Sequence, residues 1–300
     1  MENFLQLLVY GLQLGSVYAL LAIGYTMVFG IIKMINMAHC DFLMMGCYIV
    51  FFMVSIFFGD QMIGPAVALL VVLVGSSIIG GVGVGIERIA YKPLRNRPTI
   101  MCMISAIGVS TFTQNLFRAL PFIGPTPRSF PKLIQDFTIT VGPVQISFAR
   151  IVTVAIAIVI MLILWFVVQR TKIGMHMRAV SNDKDASSLM GVNINRVISI
   201  TFFIGAFLAA VSGCLYATSY TVIQPTMATT LGNKAFIAAV VGGIGDIRGA
   251  VLGGFVIGVV EILVTSVWSD LAYGFLFLVL VIILLLKPEG LLGKPMTEKV

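Results

Sequence analysis

The sequence predicts an all-α fold, a polytopic bundle of about eight or nine membrane-spanning helices. Of its 300 residues, 59% are hydrophobic and 10% are charged, against about 25% charged residues in ordinary soluble domains. Apolar runs recur along the whole chain, and several reach the roughly 20 residues that a helix needs to cross a bilayer. Lipid offers no hydrogen bonds to the backbone, and these runs lack the period-two alternation of barrel strands, so helices are the predicted spanning elements.

Eight long apolar segments and one short glycine-rich segment are the predicted spans. The long segments cover residues 4–32, 42–58, 63–86, 99–117, 150–168, 197–223, 250–268 and 271–286. The short one, residues 235–247, is expected to be a broken helix that crosses the membrane or re-enters it. Many glycines fall inside the spans, which indicates close helix packing, because small residues hold helices together in lipid. We predict a single transmembrane domain over residues 1–300.

The lysine and arginine residues predict the orientation, since cytoplasmic loops are enriched in them. They are concentrated in the loops 87–97 and 169–196, and the tail carries Lys287, Lys294 and Lys299. We therefore expect these loops and the C-terminus to face the cytoplasm, and the proline-rich loop 118–149 to lie outside. Parity then requires the segment 235–247 to cross, which gives nine passes.

The composition argues against several other functions. The net charge of +7 comes from basic residues scattered between apolar runs, so a lipid bilayer is the expected partner and nucleic acid is not. The four cysteines lack CxxC spacing and lie in apolar stretches, which is typical of small buried side chains, so no metal site is predicted. The sequence contains no P-loop motif, and we expect no bound cofactor and no catalytic residues.

Residues 33–41 interrupt two apolar runs with polar and charged side chains, among them Asn36, His39 and Asp41. A charge at the bilayer centre costs about 2.5–3.5 kcal/mol on insertion scales, so this segment must lie at an interface or line a wet cavity within the protein. A polar turn at the cytoplasmic face and a broken helix at the base of a substrate pathway both fit the pattern.

Residues 241–249 form the second interruption, which contains Gly242, Gly243 and Gly245. Glycine clusters expose backbone groups, which are tolerated at membrane depth only beside protein or water. The positive N-terminus of a half-helix can attract a carboxylate such as that of an amino acid. An ordinary charged turn at Asp246 is the alternative. The sequence Gly243 to Asp246 also has the GxGD pattern of intramembrane proteases, but no Tyr-Asp motif supplies the second catalytic aspartate.

Glu261 lies inside the apolar run 250–268. An intramembrane carboxylate is a functional candidate that needs a partner. The sequence names no partner, so a role in the substrate pathway and a structural role between helices both remain open.

The loop 169–196 contains the pattern of a short helix. Asn182 or Asp183 can cap its start, and Gly191 can end it. Its apolar positions Ala186, Leu189 and Met190 are expected on one face. We predict a helix within residues 182–193 that binds a protein partner, and an interfacial helix without a partner is the alternative.

Motifs spread in order over nearly the whole chain resemble the LivH-type permeases of branched-chain amino acid ABC importers. They lie at residues 15–20, 24–30, 36–39, 86–95, 105–108, 178–179, 191–193, 240–245, 249–254 and 288–293. The family usually shows Asn-Phe-Ala-His-Gly followed by an acidic residue. Here Met37 and Cys40 replace the aromatic residue and the glycine, and Asp41 keeps the carboxylate.

The resemblance implies a permease subunit that moves leucine, isoleucine and valine inward across the bacterial inner membrane. An extracytoplasmic amino-acid-binding protein would deliver the substrate, a second related permease would complete the pathway, and two ATPase subunits would use the ATP. The helix within 182–193 would then be the coupling helix that transmits movements of the ATPase. Its implied contact residues are Asp183, Ala186, Ser187, Leu189, Met190 and Gly191.

Two alternatives remain open at this stage. A permease for urea, short amides or another small amino acid would share the architecture, because a binding protein does the selecting. An ion- or proton-coupled secondary transporter could use Asp41, Asp246 and Glu261 as coupling groups, and it would work without ATPase partners.

Overall fold

The computed structural model describes residues 2–59, 61, 63–95, 97–134, 137–141 and 144–293. The predicted tail residues Lys294 and Lys299 lie outside the described residues. In chain order the α-helices are α1 (Glu2–Ile32), α2 (His39–Phe57), α3 (Pro65–Ile86), α4 (Thr99–Ala119), α5 (Phe148–Arg170), α6 (Lys172–Asn182), α7 (Lys184–Leu189), α8 (Ile194–Tyr220), α9 (Met227–Gly242), α10 (Ile247–Val267) and α11 (Ala272–Leu286). A π-helical turn, Glu87–Tyr91, and a 3-10 turn, Lys92–Leu94, extend α3, and a second 3-10 turn, Ser269–Leu271, precedes α11.

Eight helical segments among the described residues are long and apolar enough to cross a membrane. They contain α1 to α5, α8, α10 and α11. This confirms the predicted all-α, polytopic bundle. The four short strands were not predicted, since each has only two to four residues and one pair joins distant parts of the chain.

The bundle has two distinct ends. One, which we call the hairpin end, carries β2 (Thr138–Val141) paired with β3 (Val144–Ser147), and β1 (Arg128–Ser129) paired with β4 (Val222–Ile223). The opposite end, which we call the α7 end, carries α6, α7 and the turns after α3. The loop 118–149 and the loops 87–97 and 169–196 therefore lie at opposite ends, as the distribution of basic residues indicated.

Helix α1 is the core of the bundle and packs most extensively on α10. The two helices run antiparallel and meet at small residues. A Cβ atom added to Gly258 would collide with the backbone of Gly15, and one added to Gly254 would collide with Ala19. This confirms the predicted glycine packing for α10, whereas Gly81 of α3 faces open space.

The first interruption folds back into the bundle. After Ile32 the chain turns at Lys33, whose φ of 62° is left-handed, and α2 then begins at His39 beside Gly24 of α1. Gly24 lies eight residues before the end of α1, which is about 12 Å along a helix. The N-terminus of α2 is therefore inside the bundle and not at its surface.

Helix α9 has only 16 residues and is not among the eight segments that are long and apolar enough to cross a membrane. It follows β4 and stops at Gly242, beside the described part of the tail. There the amides of Leu291 and Leu292 donate to the carbonyls of Val241 and Gly242, at 2.9 and 3.0 Å. The predicted segment 235–247 is thus the second half of a longer helix, followed by a turn over residues 243–246.

The loop 169–196 holds two helices where the sequence predicted one. Helix α6 was missed, although Thr171 caps it by accepting a hydrogen bond from the Gly174 amide. Helix α7 is shorter than the predicted range 182–193, with only six residues.

Candidate functional site

Asn36 fixes the buried start of α2. Its Oδ1 atom accepts hydrogen bonds from the Ala38 amide at 3.1 Å and from the Tyr91 hydroxyl at 2.9 Å. Its carbonyl accepts from the His39 amide at 3.1 Å. Tyr91 belongs to the π-helical turn after α3, so Asn36 joins α2 to α3. Because Asn36 is only 2% exposed, it connects helices in this conformation and does not line an open channel.

His39, the first residue of α2, is enclosed by α1 and α8. Its ring centroid lies 4.6 Å from that of Tyr25, and a Cβ atom on Gly24 would collide with the imidazole. The Leu21 backbone of α1 is a hydrogen-bonding neighbour of the ring. His39 is therefore packed tightly where α1, α2 and α8 meet.

Asp41 connects three helices through a chain of polar groups. Its Oδ1 atom accepts from the Gln114 amide group of α4 at 2.9 Å. The Gln114 carbonyl in turn accepts from the Thr229 hydroxyl of α9 at 3.1 Å. Asp41 is 1% exposed and Thr229 is exposed, so the chain of hydrogen bonds leads from a buried carboxylate to the surface of the bundle.

The glycines of the second interruption are packed against backbone. Gly243 and Gly245 have φ values of 110° and 106°, which other residues rarely adopt. A Cβ atom on Gly242 would overlap the Gly249 carbonyl, and one on Gly243 would lie 2.5 Å from the Gly293 amide nitrogen. In this conformation Gly242 and Gly243 are therefore contacts between α9, α10 and the tail.

Asp246 is the N-cap of α10. Its Oδ1 atom accepts from the amides of Arg248 at 2.8 Å and Gly249 at 3.3 Å. A capping carboxylate at this position is favoured by the helix dipole. Of the two interpretations of this residue left open by the sequence, the structure matches the ordinary charged turn.

The two interruptions meet at a very small cavity. Its lining residues come from both breaks and from the aromatic residues of α1 and α9, namely Tyr25, Phe29, Ile35, Asn36, Phe236, Ala239 and Ile244. The cavity has a volume of about 10 Å³, which is about the minimum for one water molecule. Side chains therefore fill most of the space between the two interruptions in this conformation.

Glu261 has two partners, and both come from other helices. One carboxylate oxygen accepts from the Tyr18 hydroxyl of α1 at 2.8 Å, and the other pairs with the Lys234 ammonium of α9 at 2.6 Å. Both side chains of the ion pair are largely buried. The carboxylate therefore joins α1, α9 and α10 in the membrane-spanning part of the bundle.

Helix α9 presents one polar face. Thr229, Thr230 and Asn233 are exposed on it, and the preceding Thr226 continues the same face at helical spacing. Three residues beyond Asn233, the half-buried Phe236 lines the small cavity. The face thus changes from hydroxyl and amide groups in the first two turns of α9 to an aromatic ring beside the small cavity.

Helix α7 has the predicted cap and stop. The Asp183 side chain accepts from the Ala186 amide at 3.0 Å. Gly191, with a φ of 82°, follows the end of the helix. Ser187 is buried, and its hydroxyl donates to the Asp183 carbonyl at 2.6 Å.

The apolar residues of α7 point away from the bundle. Leu189 is 89% exposed and Met190 is 85% exposed, and Ala186 is exposed as well. Positive charge lies near the start of the helix. Partial burial and the charges of Arg95 and Lys33 lower the pKa of Lys184, whereas the charge of Asp185 opposes this shift. Helix α7 is therefore a short, rigidly capped projection with an uncovered apolar tip.

Sequence reasoning missed three residues that complete these clusters. Lys234 directly precedes the predicted segment 235–247, and an isolated lysine within an apolar stretch was a usable signal. Gln114 and Tyr91 were not singled out, because Gln114 lies close to the end of the predicted span 99–117 and Tyr91 lies in the predicted loop 87–97. Their importance depends on Asp41 and Asn36, which are distant in sequence.

The family described as "Branched-chain amino acid transport system / permease component" matches residues 7–286. The high-affinity branched-chain amino acid transport system permease protein BraD of Pseudomonas aeruginosa is 39% identical over 312 residues, which cover 99% of this chain and 98% of that protein. The corresponding protein LivH of Escherichia coli is 41% identical over 308 residues, with the same coverage. The ribose import permease protein RbsC of Haemophilus influenzae is 25% identical over 81% of this chain and 72% of its own length. No solved structure matches the chain.

The family match includes both interruptions, the polar face of α9 and helix α7, and the first two relatives extend over nearly the full chain. The apolar helices identify the chain as a multi-pass membrane protein. This chain belongs to the permease family of branched-chain amino acid transport systems.

Proposed function

We propose that this chain is the permease subunit of a binding-protein-dependent ABC importer for leucine, isoleucine and valine. Two near-full-length relatives carry this substrate class in their names, with 39% and 41% identity. In the proposed assembly a second related permease faces this chain, two ATPase subunits lie at the α7 end, and an amino-acid-binding protein docks at the hairpin end. The α7 end is cytoplasmic, the membrane is the bacterial inner membrane, and ATP binds only to the partner subunits.

The polar face of α9 is the proposed lining of the substrate pathway. The Asn233 amide group donates to the Tyr273 hydroxyl of α11 at 3.2 Å, but exposed polar groups such as Asn233 and Thr230 need further water or protein contacts at membrane depth. A pathway shared with the second permease would supply both. The same face holds Thr229, which continues through Gln114 to Asp41 and so links the pathway to the buried start of α2.

The small cavity between the interruptions is the proposed closed gate. Tyr25, Phe29 and Phe236 fill the space at the end of the polar face. Opening this gate requires the N-terminus of α2 to move relative to α9. In this proposal α2 pivots at Asn36 and His39. The glycines 242, 243 and 245 allow close backbone packing at the second interruption.

Helix α7 is the proposed coupling element, and its exposure is the observation that carries this proposal. A leucine and a methionine at 89% and 85% exposure are unfavourable in water unless a partner covers them. Only a few buried anchor residues of an interface cost about 2 kcal/mol or more on truncation, and the two apolar residues at this tip are the candidates for that role on α7. A groove on an ATPase subunit would cover the tip and move it as a rigid body.

The variant Leu189→Glu tests this function, with Met175→Glu on the neighbouring helix α6 as a matched control. We expect Leu189→Glu to abolish ATP-dependent uptake of radiolabelled leucine by the assembled transporter, because a charge cannot enter the apolar groove. Capture of leucine by the binding protein should be unchanged, and Met175→Glu should keep most of the uptake. Full uptake by the Leu189→Glu variant would contradict the coupling role.

The same assay separates the ion-coupled alternative. A secondary transporter would continue to accumulate leucine when ATP is depleted and would not depend on Leu189. Against that alternative, Glu261 pairs with Lys234, Asp246 caps α10 and Asp41 accepts from Gln114, so all three proposed coupling carboxylates already have structural partners.

A further inference from the structure

A second, much larger cavity opens at the α7 end, between the end of α3 and the start of α8. Its volume is about 560 Å³. Four cationic side chains line it, namely Arg88, Lys92, Arg95 and Arg196. None of them belongs to the pathway, gate or coupling helix described above.

Only one of these four cations has its charge compensated within the described part of the chain. Arg95 pairs with the Glu87 carboxylate, whose other oxygen accepts from the Ser199 hydroxyl at 3.0 Å. Arg88, Lys92 and Arg196 are exposed and form no ion pair with any described residue. Three uncompensated positive charges therefore face one cavity.

The start of α8 adds a fixed partial charge to this cavity. Asn193 caps the helix by accepting a hydrogen bond from the Arg196 amide at 3.1 Å. The helix extends over 27 residues, and the N-terminus of such a helix carries a partial positive charge that favours anions. Both Asn193 and Arg196 line the cavity.

The cavity is apolar on the side that faces the middle of the bundle. Its wall there consists of Val84, Ile200 and Phe203, and the Phe203 ring packs against Gly80 of α3. Both flanking segments, Pro65–Leu94 and Ile194–Tyr220, are long and apolar enough to cross a membrane. The change from apolar wall to cations therefore follows the direction from the bilayer interior to its surface.

We propose that this cavity binds one anionic phospholipid from the leaflet at the α7 end. The headgroup phosphate lies between Arg88, Lys92 and Arg196, and an acyl chain lies along Val84, Ile200 and Phe203. Basic pockets between membrane helices bind anionic headgroups, and arginine suits phosphate because its planar fork can form two hydrogen bonds. The inference does not depend on which solute the chain transports.

The apolar wall is the reason to prefer a lipid over a soluble anion. A free inorganic phosphate would use the cations but would gain nothing from three apolar side chains beside them. An acidic segment of a partner subunit would face the same mismatch. A phospholipid has an anionic headgroup followed by apolar acyl chains, which matches the arrangement of the cations and the apolar wall in the cavity.

Lipid binding can be measured by native mass spectrometry on the full chain, purified in detergent with any subunits that co-purify. Dioleoyl phosphatidylglycerol is titrated against dioleoyl phosphatidylcholine. The double variant R88Q/R196Q removes two cations of the cavity, and R170Q/R248Q removes two exposed arginines at the same end that do not line it.

We expect saturable binding of one phosphatidylglycerol, weaker binding of phosphatidylcholine, and a loss of roughly 30-fold in phosphatidylglycerol affinity for R88Q/R196Q. The R170Q/R248Q control should keep the parent's affinity. If R88Q/R196Q does not fold, as judged by its melting temperature, the single variant K92Q replaces it, with an expected loss of roughly 5-fold.

Five results would overturn the proposal. Equal affinity for the two lipids would show that the cations do not select the headgroup, and an equal loss in the control would show that only overall charge matters. Displacement of the lipid by inorganic phosphate, or equal binding of dihexanoyl and dioleoyl phosphatidylglycerol, would make the cavity a site for soluble anions. If R88Q/R196Q released a co-purified subunit and the parent carried no bound lipid, the cavity would be a contact site for that subunit.

Discussion

The carboxylate of Glu261 is shared between Tyr18 and Lys234, so that three helices meet at one charge. Such an arrangement stabilises the bundle only while both charges are present. Removing one partner leaves the other charge buried without compensation, which is far more costly than removing both.

We expect Glu261→Gln to lower the free energy of unfolding by about 3–5 kcal/mol, because it leaves the Lys234 ammonium unpaired. The double variant Glu261→Gln/Lys234→Met should recover most of this loss. Thermal unfolding in detergent measures both, and Glu289→Gln, at an exposed carboxylate of the tail, is the control. A stability of Glu261→Gln equal to that of the parent would show that the ion pair contributes little.

Functional candidates could be predicted from the sequence where a polar residue interrupts an apolar run. Asn36, His39, Asp41 and Glu261 stood out because polar groups are expensive in apolar runs. Their partners did not stand out, because tertiary packing determines which residues meet. Glu261 contacts Lys234, which is 27 residues away in sequence, and Tyr18, which is 243 residues away.

At the scale of elements, contacts between glycine backbones decide which helices are neighbours. Helices α1 and α10 approach at Gly11, Gly15, Gly254 and Gly258, where a side chain would collide with the facing helix. Helix α3 has packed glycines, Gly80 and Gly83, and an unpacked one, Gly81. The sequence alone does not distinguish packed from unpacked glycines.

Gly258→Val tests the contact between α1 and α10, with Gly81→Val as its matched control. We expect Gly258→Val to cost at least about 1–3 kcal/mol, because the added side chain overlaps the backbone of Gly15. Gly81→Val should be close to neutral, since nothing lies within 4 Å of its added Cβ atom. Circular dichroism melts of both variants in detergent provide the comparison, and equal melting temperatures would contradict the proposed helix contact.

Element boundaries were predicted less well than element types. The long spans were evident from hydropathy. Helix α9, however, begins eight residues before the predicted segment. Its start was missed because Thr229, Thr230, Asn233 and Lys234 lower the mean hydropathy of its first two turns. The same polar residues that hid the start of the helix form its exposed face. A hydropathy criterion therefore fails at the place where we propose that substrate passes.

At the scale of the whole molecule, we predict an odd number of crossings. Helix α1 begins beside the β2–β3 hairpin, where the Gln6 side chain donates to the Gln145 carbonyl at 2.6 Å. The described part of the tail after α11 is bonded to the end of α9. We expect nine passes, made by the eight long apolar segments and by α9 as a short ninth.

Labelling of single introduced cysteines in intact and opened cells tests this arrangement. We expect Thr138→Cys, at the hairpin end, to react with an impermeant maleimide from outside. Lys287→Cys, at the α7 end, should react only after the cells are opened. The parent is the control, because its four cysteines are buried and should react little. Labelling of positions 138 and 287 from the same side would refute the nine-pass arrangement.

The hydrogen bonds from Leu291 and Leu292 to the end of α9 bear on how the chain matures in the membrane. The ribosome makes these residues after α11, so the carbonyls of Val241 and Gly242 lack these two donors while α10 and α11 are being inserted. The second interruption can reach its final form only when the newly made tail returns to it. Biogenesis of the gate region is therefore a late event, and a shortened tail would be expected to yield inserted but unfinished protein, open to quality-control proteases.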